Sequence, residues 1–537
     1  MTTNEKQLTL LALSLLCSPL AHAQRLLPPE QKDSIAIKSN VIKVTDIHPA
    51  KGMVNNTLDI LSGQAAGVNV TSNGLDRMAM LNSVRVRGTT SITGGNDPLV
   101  LIDGVTSDVT TLSTIYPADI ESFRILKNAA ETAMYGSRGA SGVIEVKTKK
   151  GTGRGFQISY EGNVGFEKMY KRLQMLDATE YVATAKAMGV HCNNAGYNSD
   201  FYKAITHTGM VNNHYLAFSG GNPQSNYRAS FGVMDHNTII RDKDYGVFRA
   251  KIDVTQKAFN DKLTGDFGVF GSSFKNHDIF DTQMLFYSAS CQNPTYSSVT
   301  DNNGNWTKNE TAYKINPPVL LLDEKSDSKD LNFDAHIKLS YDFNPYWRIS
   351  TFGSYLYGST ENSQFCPTLV WAQGNVYRGE FKKEEWLSNL SLDFNKKIGV
   401  HNISAQLSGE YRTLRKTAFW VYAKGITSNA FGYDNLGAAS TRPYGGTEST
   451  YEDQSLASVM GSVTYSLKDR YSLSVNARGD GSSMVGDDHT WGFFPSVSLS
   501  WDLKKESFLA HSKHLSLLKL HTGIGQAGNL GGISAYT

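Results

Sequence analysis

The chain reads as an α+β domain followed by a transmembrane antiparallel β-barrel, and three observations carry that reading. From about residue 156 onward, apolar and polar residues alternate in stretches of about ten residues. Leu331, Phe333, Ala335, Ile337, Leu339 and Tyr341, for example, alternate with Asn332, Asp334, His336, Lys338 and Ser340. The links between such stretches differ in length. Asn344-Pro345 and Lys468-Asp469-Arg470 are short, whereas the polar stretches near 275–330 and 412–455 are long. Tight turns on one side of a membrane and long loops on the other give that asymmetry. Finally, 48 Gly, 26 Tyr and 24 Phe with only 14 Pro suit a barrel whose lipid-facing residues are diluted by polar ones between them. A soluble sandwich or propeller would have shorter strands and no such loop asymmetry.

The elements follow in order. Lys6, the apolar run Leu8 to Leu16, Pro19 and Ala21-His22-Ala23 predict a secretory signal over 1–23, leaving Gln24 as the new N-terminus. Cys17 raises lipidation, but the large Leu16 before it disfavours that reading. Residues 24–45 are short and polar, and Asp33-Ser34-Ile35-Ala36-Ile37 is a small alternating segment able to add to a partner's sheet edge.

Residues 46–150 predict the α+β domain. A helix is expected at Thr57 to Leu61 with Thr57 as N-cap, and strands at Gly67 to Val70 and Ser83 to Gly88. Pro98 to Val105 is an apolar run broken by Asp103-Gly104, a two-residue turn signal. A new element starts at Pro117, a short helix spans Ala129 to Met134, and a glycine-rich turn precedes the strand Val143 to Thr148. Residues 156–537 carry the barrel pattern, with aromatics near strand ends (Tyr341, Phe343, Tyr346, Trp347, Phe493, Phe494, Trp501) as its interfacial girdles.

Composition and motifs exclude several functions. Lys plus Arg number 52 against 50 Asp plus Glu, so no general attraction to nucleic acid exists. Four scattered cysteines imply neither a disulfide framework nor a zinc site. Gly151-Thr152-Gly153-Arg154-Gly155 lacks the lysine and Ser/Thr of a phosphate loop. Asp301 to Asn305 resembles a calcium loop, but Trp306 stands where glycine is needed and Ala312 where Glu is needed. His191-Cys192, His207 and His214 have no ligand partners at useful spacing, and no nucleophile frame occurs. No catalytic residue, metal or cofactor is expected. Trp371, Tyr377 and Trp420 could stack on sugars, with girdle or loop-packing roles as the alternative, so no substrate residue is assigned.

Several longer motifs carry a family resemblance. Tyr135-Gly136-Ser137-Arg138-Gly139-Ala140-Ser141-Gly142, running on to Gly151, resembles the plug-domain ending of SusC/RagA TonB-dependent transporters. Pro98 to Val105, with Asp103 and Gly104, resembles their central plug hairpin, and Arg85-Val86-Arg87-Gly88 their Arg-x-Arg-Gly strand. Arg478 to Ser483, Trp491 to Val497 and Gly525-Gln526-Ala527-Gly528-Asn529 are similar to barrel signatures of the same family.

The resemblance implies a plug inside a barrel of about 22 strands in the outer membrane. It also implies a SusD-like lipoprotein lid and import of an oligosaccharide or peptide powered by TonB with ExbB and ExbD. Asp33 to Ile37 then becomes the TonB-box candidate. Arg85, Arg87, Arg124 and Arg138 are expected to pair with carboxylates on inward strand positions. Uptake of an iron chelate or cobalamin, and a non-transporting surface barrel or adhesin, are the competing functions. The chain offers about a dozen candidate strands, about half of such a barrel. It is therefore expected to be the front part of a longer frame or of an interrupted gene.

Overall fold

A computed structural model of the chain describes residues 41–44, 56–65, 67–70, 84–86, 88–92, 95–153, 155–295, 298–300, 302, 321–486, 490–512, 514–531 and 533. The expected signal, the Asp33 to Ile37 segment and Arg87 lie outside the described residues.

The first domain contains β1 (Val41–Lys43), α1 (Thr57–Leu61), β2 (Val68–Val70), β3 (Val84–Val86), β4 (Leu99–Ile102), β5 (Val105–Ser107), α2 (Val109–Thr114), β6 (Ile120–Leu126), α3 (Ala129–Thr132) and β7 (Val143–Thr148). A five-stranded sheet runs in the order β1-β6-β7-β4-β5, with β4 and β7 parallel, and β2 pairs β3 separately. Among the described residues, β1 pairs β6, so the sheet takes in residues before the expected boundary at 46. Its core is built almost wholly from its own residues: Leu58, Leu61, Val84, Val86, Val100, Leu112, Ile120, Phe123 and Ile144 are all fully buried, and Phe270 of the second region joins the same cluster.

Two local expectations are corrected. Asn56, not Thr57, caps α1, its side-chain oxygen accepting from the Leu58 N–H at 2.9 Å. Thr57 is buried instead, and its hydroxyl donates to the Ile115 carbonyl at 2.7 Å, since a buried hydroxyl needs a partner. The helix expected over Ala129 to Met134 stops at Thr132. A 3₁₀ stretch continues to Arg138 and is broken at Gly136, whose φ of 54° and ψ of −122° are non-helical.

The second region contains β8 (Gln157–Glu167), β9 (Gly209–Gly221), β10 (Ser225–Asn237), β11 (Asp244–Ala258), β12 (Leu263–Asp278), β13 (Lys325–Asp342), β14 (Trp347–Cys366), β15 (Asn375–Ile398), β16 (His401–Ile426), β17 (Ala439–Thr441), β18 (Thr447–Leu467), β19 (Tyr471–Ser482), β20 (Trp491–Asp502) and β21 (Lys519–Gly525). They form one 14-stranded antiparallel meander from β8 to β21, open among the described residues, with β17 a side branch on β16.

Burial along these strands is inverted relative to a soluble protein. On β11, Phe248 and Ile252 are about half exposed, whereas Arg249, Lys251 and Asp253 are buried. On β13, Leu331, Phe333, Ile337 and Leu339 are exposed while Asp334 is buried. An apolar outer face over a polar inner face is what lipid outside and a filled lumen inside require. Phe494 departs from the girdle expectation. It is 8% exposed and faces inward, because it sits on the opposite face of β20 from the exposed Phe493.

Strands β14, β15, β16 and β18 have 20, 24, 26 and 21 residues, well beyond the expected ten or so. At about 3.4 Å per residue they outreach a hydrocarbon core about 30 Å thick, even when tilted. The long polar stretch expected at 412–455 therefore shrinks to 427–446, its flanks being paired as β16 and β18. Tight links (259–262, 343–346, 399–400, 468–470) lie at one end of the meander. The long connections 168–208, 279–324 and 427–446 lie at the other. Two of these long connections pack together through Phe201, Tyr202, Ile205, Leu285 and Ala289.

Candidate functional site: the plug seat and the luminal pocket

Among the described residues, three clusters of polar contacts join the first domain to the inner face of the sheet, alongside single bonds such as Arg249 to the Thr114 carbonyl and Ser496 to the Ala130 carbonyl.

The first is the turn between β4 and β5. Asp103 and Gly104 both have positive φ, 52° and 93°, as a two-residue hairpin turn demands. The Asp103 carboxylate accepts from the Thr148 N–H at 2.9 Å and the Thr148 hydroxyl at 2.5 Å. It also pairs with Lys251 on β11 at 3.3 Å and with Lys150 at 3.4 Å. Lys150 and Lys251 in turn share Asp253, Lys150 at 2.5 Å. Burial alone would raise the Asp103 pKa, but Lys251, Lys150 and the Thr148 donors outweigh it and hold the carboxyl at about 2. A Cβ on Gly104 would lie 3.4 Å from the Phe352 ring of β14, so the turn rests directly on the wall.

The second is the glycine-rich turn after α3. Gly136 lets the Ser137 N–H and hydroxyl both donate to the Asp480 carboxylate at 2.8 Å. A Cβ at Gly136 would stand 2.2 Å from that oxygen, so any side chain there would displace the Asp480 carboxylate as well as strain the backbone. Arg478 pairs with Asp480 at 2.6 Å and with Glu410 at 3.0 Å, and donates to the Met134 carbonyl at 3.1 Å. Arg138 reaches Glu410 at 2.7 Å from the plug side. The Gly528 N–H donates to the Gly136 carbonyl at 3.0 Å, and Asn529 donates to the Gly95 carbonyl at 3.1 Å. Phe494 packs against Gly528. The plug-ending motif and the three barrel motifs singled out in the sequence thus meet at one place, across more than 340 residues of chain. Gly139 and Gly142 serve packing: a Cβ on either would strike Thr132 or Val86.

The third contact was not foreseen. Asp119, 5% exposed, accepts from Tyr215 at 2.5 Å, Ser230 at 2.8 Å and Arg228 at 3.2 Å, all from β9 and β10. Tyr116 stacks on Tyr215 at 4.2 Å, under the Arg249 guanidinium. The only signal was Pro117, which starts the 3₁₀ turn that presents Asp119.

Two arginine expectations are corrected. Arg85 pairs with Asp97 at 2.6 Å and Arg124 with Glu145 at 3.1 Å, both inside the plug. Their strands carry them on plug faces where a neighbouring strand or loop supplies the carboxylate first. Tyr135 also donates to Glu145. Gly88, at φ 91°, turns the chain after β3.

Above the plug, toward the long connections, a cavity of about 800 Å³ opens on the inner wall of β13 to β18. Plug residues Asp108 and Thr110 form part of its lining.

Comparison with known proteins agrees with this geometry. Residues 31–143 match the TonB-dependent Receptor Plug Domain family, and 253–527 match the TonB dependent receptor-like, beta-barrel family. The chain is 30% identical to the TonB-dependent receptor SusC of Bacteroides thetaiotaomicron, over 91% of this chain and 52% of that protein. It is also 30% identical to a TonB-dependent receptor of Formosa agariphila, over 87% of this chain and 47% of that one. It thus spans about half the length of the curated relatives it matches. Among solved structures, the RagAB peptide transporter superposes with a TM-score of 0.76 at 19% identity, covering 91% of this chain and 60% of that one. The ferric citrate transporter FecA superposes at 0.59 and 11% identity, over 91% and 63%. With its plug seated on the inner face of an antiparallel barrel wall, the chain belongs to the TonB-dependent receptors, of the SusC/RagA kind.

Proposed function

We propose that this chain supplies the plug and barrel wall of an outer-membrane importer, which takes up an oligosaccharide or a peptide using energy delivered by TonB. The observation that carries the reading is the division between the plug's core and its seat. The plug's apolar core is built almost wholly from its own residues, with Phe270 of the wall joining it, whereas much of its seat on the wall is ion pairs and hydrogen bonds: Asp103 with Lys251, Arg138 with Glu410, Asp480 with Ser137, Asp119 with Arg228. Water can replace such contacts at modest net cost, about 1 kcal/mol for each neutral bond and more for charged ones. An apolar seat of the same size would resist displacement far more. A domain that a partner must pull aside and that must return suits a polar seat.

On this reading Asp33 to Ile37 is the TonB box, adding as a strand to TonB, which ExbB and ExbD energise. The end bearing the three long connections faces outward and receives a SusD-like lipoprotein. The RagAB peptide transporter superposes with a TM-score of 0.76 against 0.59 for the ferric citrate transporter FecA, which supports the nutrient reading over siderophore uptake.

Deleting residues 33–37 tests the mechanism. Energised uptake of radiolabelled substrate should fall to the background of cells lacking TonB, while surface binding persists. Unchanged uptake would make this a barrel that does not use TonB.

A further inference from the structure

The luminal cavity carries one feature that its size alone does not explain. On β15, Tyr377, Gly379 and Phe381 share the inward face, and Trp420 of β16 stands directly opposite Gly379. The Phe381 and Trp420 rings are nearly parallel, 13° apart in plane and 6.3 Å between centroids. A Cβ on Gly379 would lie 2.5 Å from the Tyr377 hydroxyl and 3.2 Å from the Phe381 ring. The glycine therefore lets the aromatics close into a continuous shelf. Phe381 remains 36% exposed, so the shelf is open to the cavity.

The charges around the shelf are compensated. Lys416 pairs with Glu452 at 3.2 Å and Lys383 with the plug residue Asp108 at 3.6 Å. Asp330 accepts from the Thr360 hydroxyl at 2.6 Å. The walls therefore offer many donors and acceptors with little net field. Every long strand of the wall, β14, β15, β16 and β18, is paired on both sides, leaving no sheet edge for a peptide main chain to join.

We propose that the Phe381–Trp420 shelf is a binding subsite for an uncharged oligosaccharide. The C–H-rich face of a pyranose lies on the electron-rich ring faces, and its equatorial hydroxyls reach the paired charges. Because Asp108 belongs to the plug and pairs with Lys383 beside the shelf, a sugar seated there touches plug and wall together. The inference rests on the import reading only for the route by which the sugar arrives.

The test is calorimetric titration of the detergent-purified protein with a panel of uncharged hexasaccharides (gluco-, manno-, xylo- and fructo-configured), and with mixed hexapeptides as the contrast. At least one sugar should bind, and Trp420→Ala should weaken it by about tenfold or more, while Trp420→Phe stays within about threefold. Gly379→Ala, which crowds Tyr377 and Phe381, should weaken the same sugar. Heat-modifiable migration on gels checks that each variant keeps its barrel. No binding by any sugar, binding by peptides alone, or equal affinity in Trp420→Ala each overturns the subsite. Uptake by energised cells is read separately. Shelf-dependent binding without energised uptake defeats the import reading and leaves the subsite standing, whereas uptake with an unchanged KM in Trp420→Ala does the reverse.

Discussion

Gly136 is a residue at which plug and wall approach closely. Its backbone, at φ 54° and ψ −122°, lies where side chains are strained, and any Cβ would meet the Asp480 carboxylate at 2.2 Å. Gly136→Ala should destabilise plug seating by about 3 kcal/mol, read as a lower urea midpoint for protection of the plug from trypsin. Asp103 gives the seat a pH dependence. Its carboxyl is held at about 2 against an ordinary 3.8. A depressed carboxylate contributes fully above its unfolded pKa and loses that contribution as the pH falls through the folded one. About 2 kcal/mol should therefore be present above pH 4 and lost on acidification toward pH 2. Comparing acid titrations of the wild type and Asp103→Asn checks this. The variant should be weaker at neutral pH and should lack that acid-dependent component.

At the scale of the element, the long strands separate into an apolar outer face and a polar inner one. Ile337 is 39% exposed near the middle of β13, on the face opposite Asp334. Ile337→Arg should cost about 2–4 kcal/mol in a bilayer, because the guanidinium must enter hydrocarbon. Folding titrations into lipid vesicles would measure it, and a cost near zero would place this face against water or another protein. The alternation that predicted this face was legible in the sequence because a strand's period of two is local. Strand length was not. The polar residues of Thr447 to Tyr451 read as loop, yet they pair with Thr417 to Val421 of the neighbouring strand. Pairing with a distant partner overrode their composition.

Over the whole molecule, the seat is spread around the wall: Asp119 on β9 and β10, Asp103 on β11 and β14, Arg138 and Ser137 on β16 and β19. Weakening one of the two carboxylates that hold Arg478 should leave the lumen blocked, and removing both should not. The double variant Glu410→Gln with Asp480→Asn leaves Arg478 buried without a carboxylate, a loss of about 3–5 kcal/mol. Cells expressing it should become sensitive to vancomycin, which intact outer membranes exclude, whereas either single variant should not. Resistance in the double variant would show that the remaining contacts hold the plug alone.

The sequence by itself determined what depends on near neighbours: the Asp103-Gly104 turn, the strand from Val143, the glycines that demand unusual backbone, and the inside-out alternation of the wall. It also placed the family motifs correctly along the chain. Only the tertiary structure decided which charges meet. Arg85 and Arg124 found Asp97 and Glu145 within the plug, while Arg138 found Glu410 from 272 residues away. Asp119 gave no sequence sign of its role, because a carboxylate's partners are set by which strands close around it. The aromatic shelf is of the same kind. Gly379 and Trp420 lie on adjacent strands in register, a juxtaposition that exists only once β15 and β16 pair.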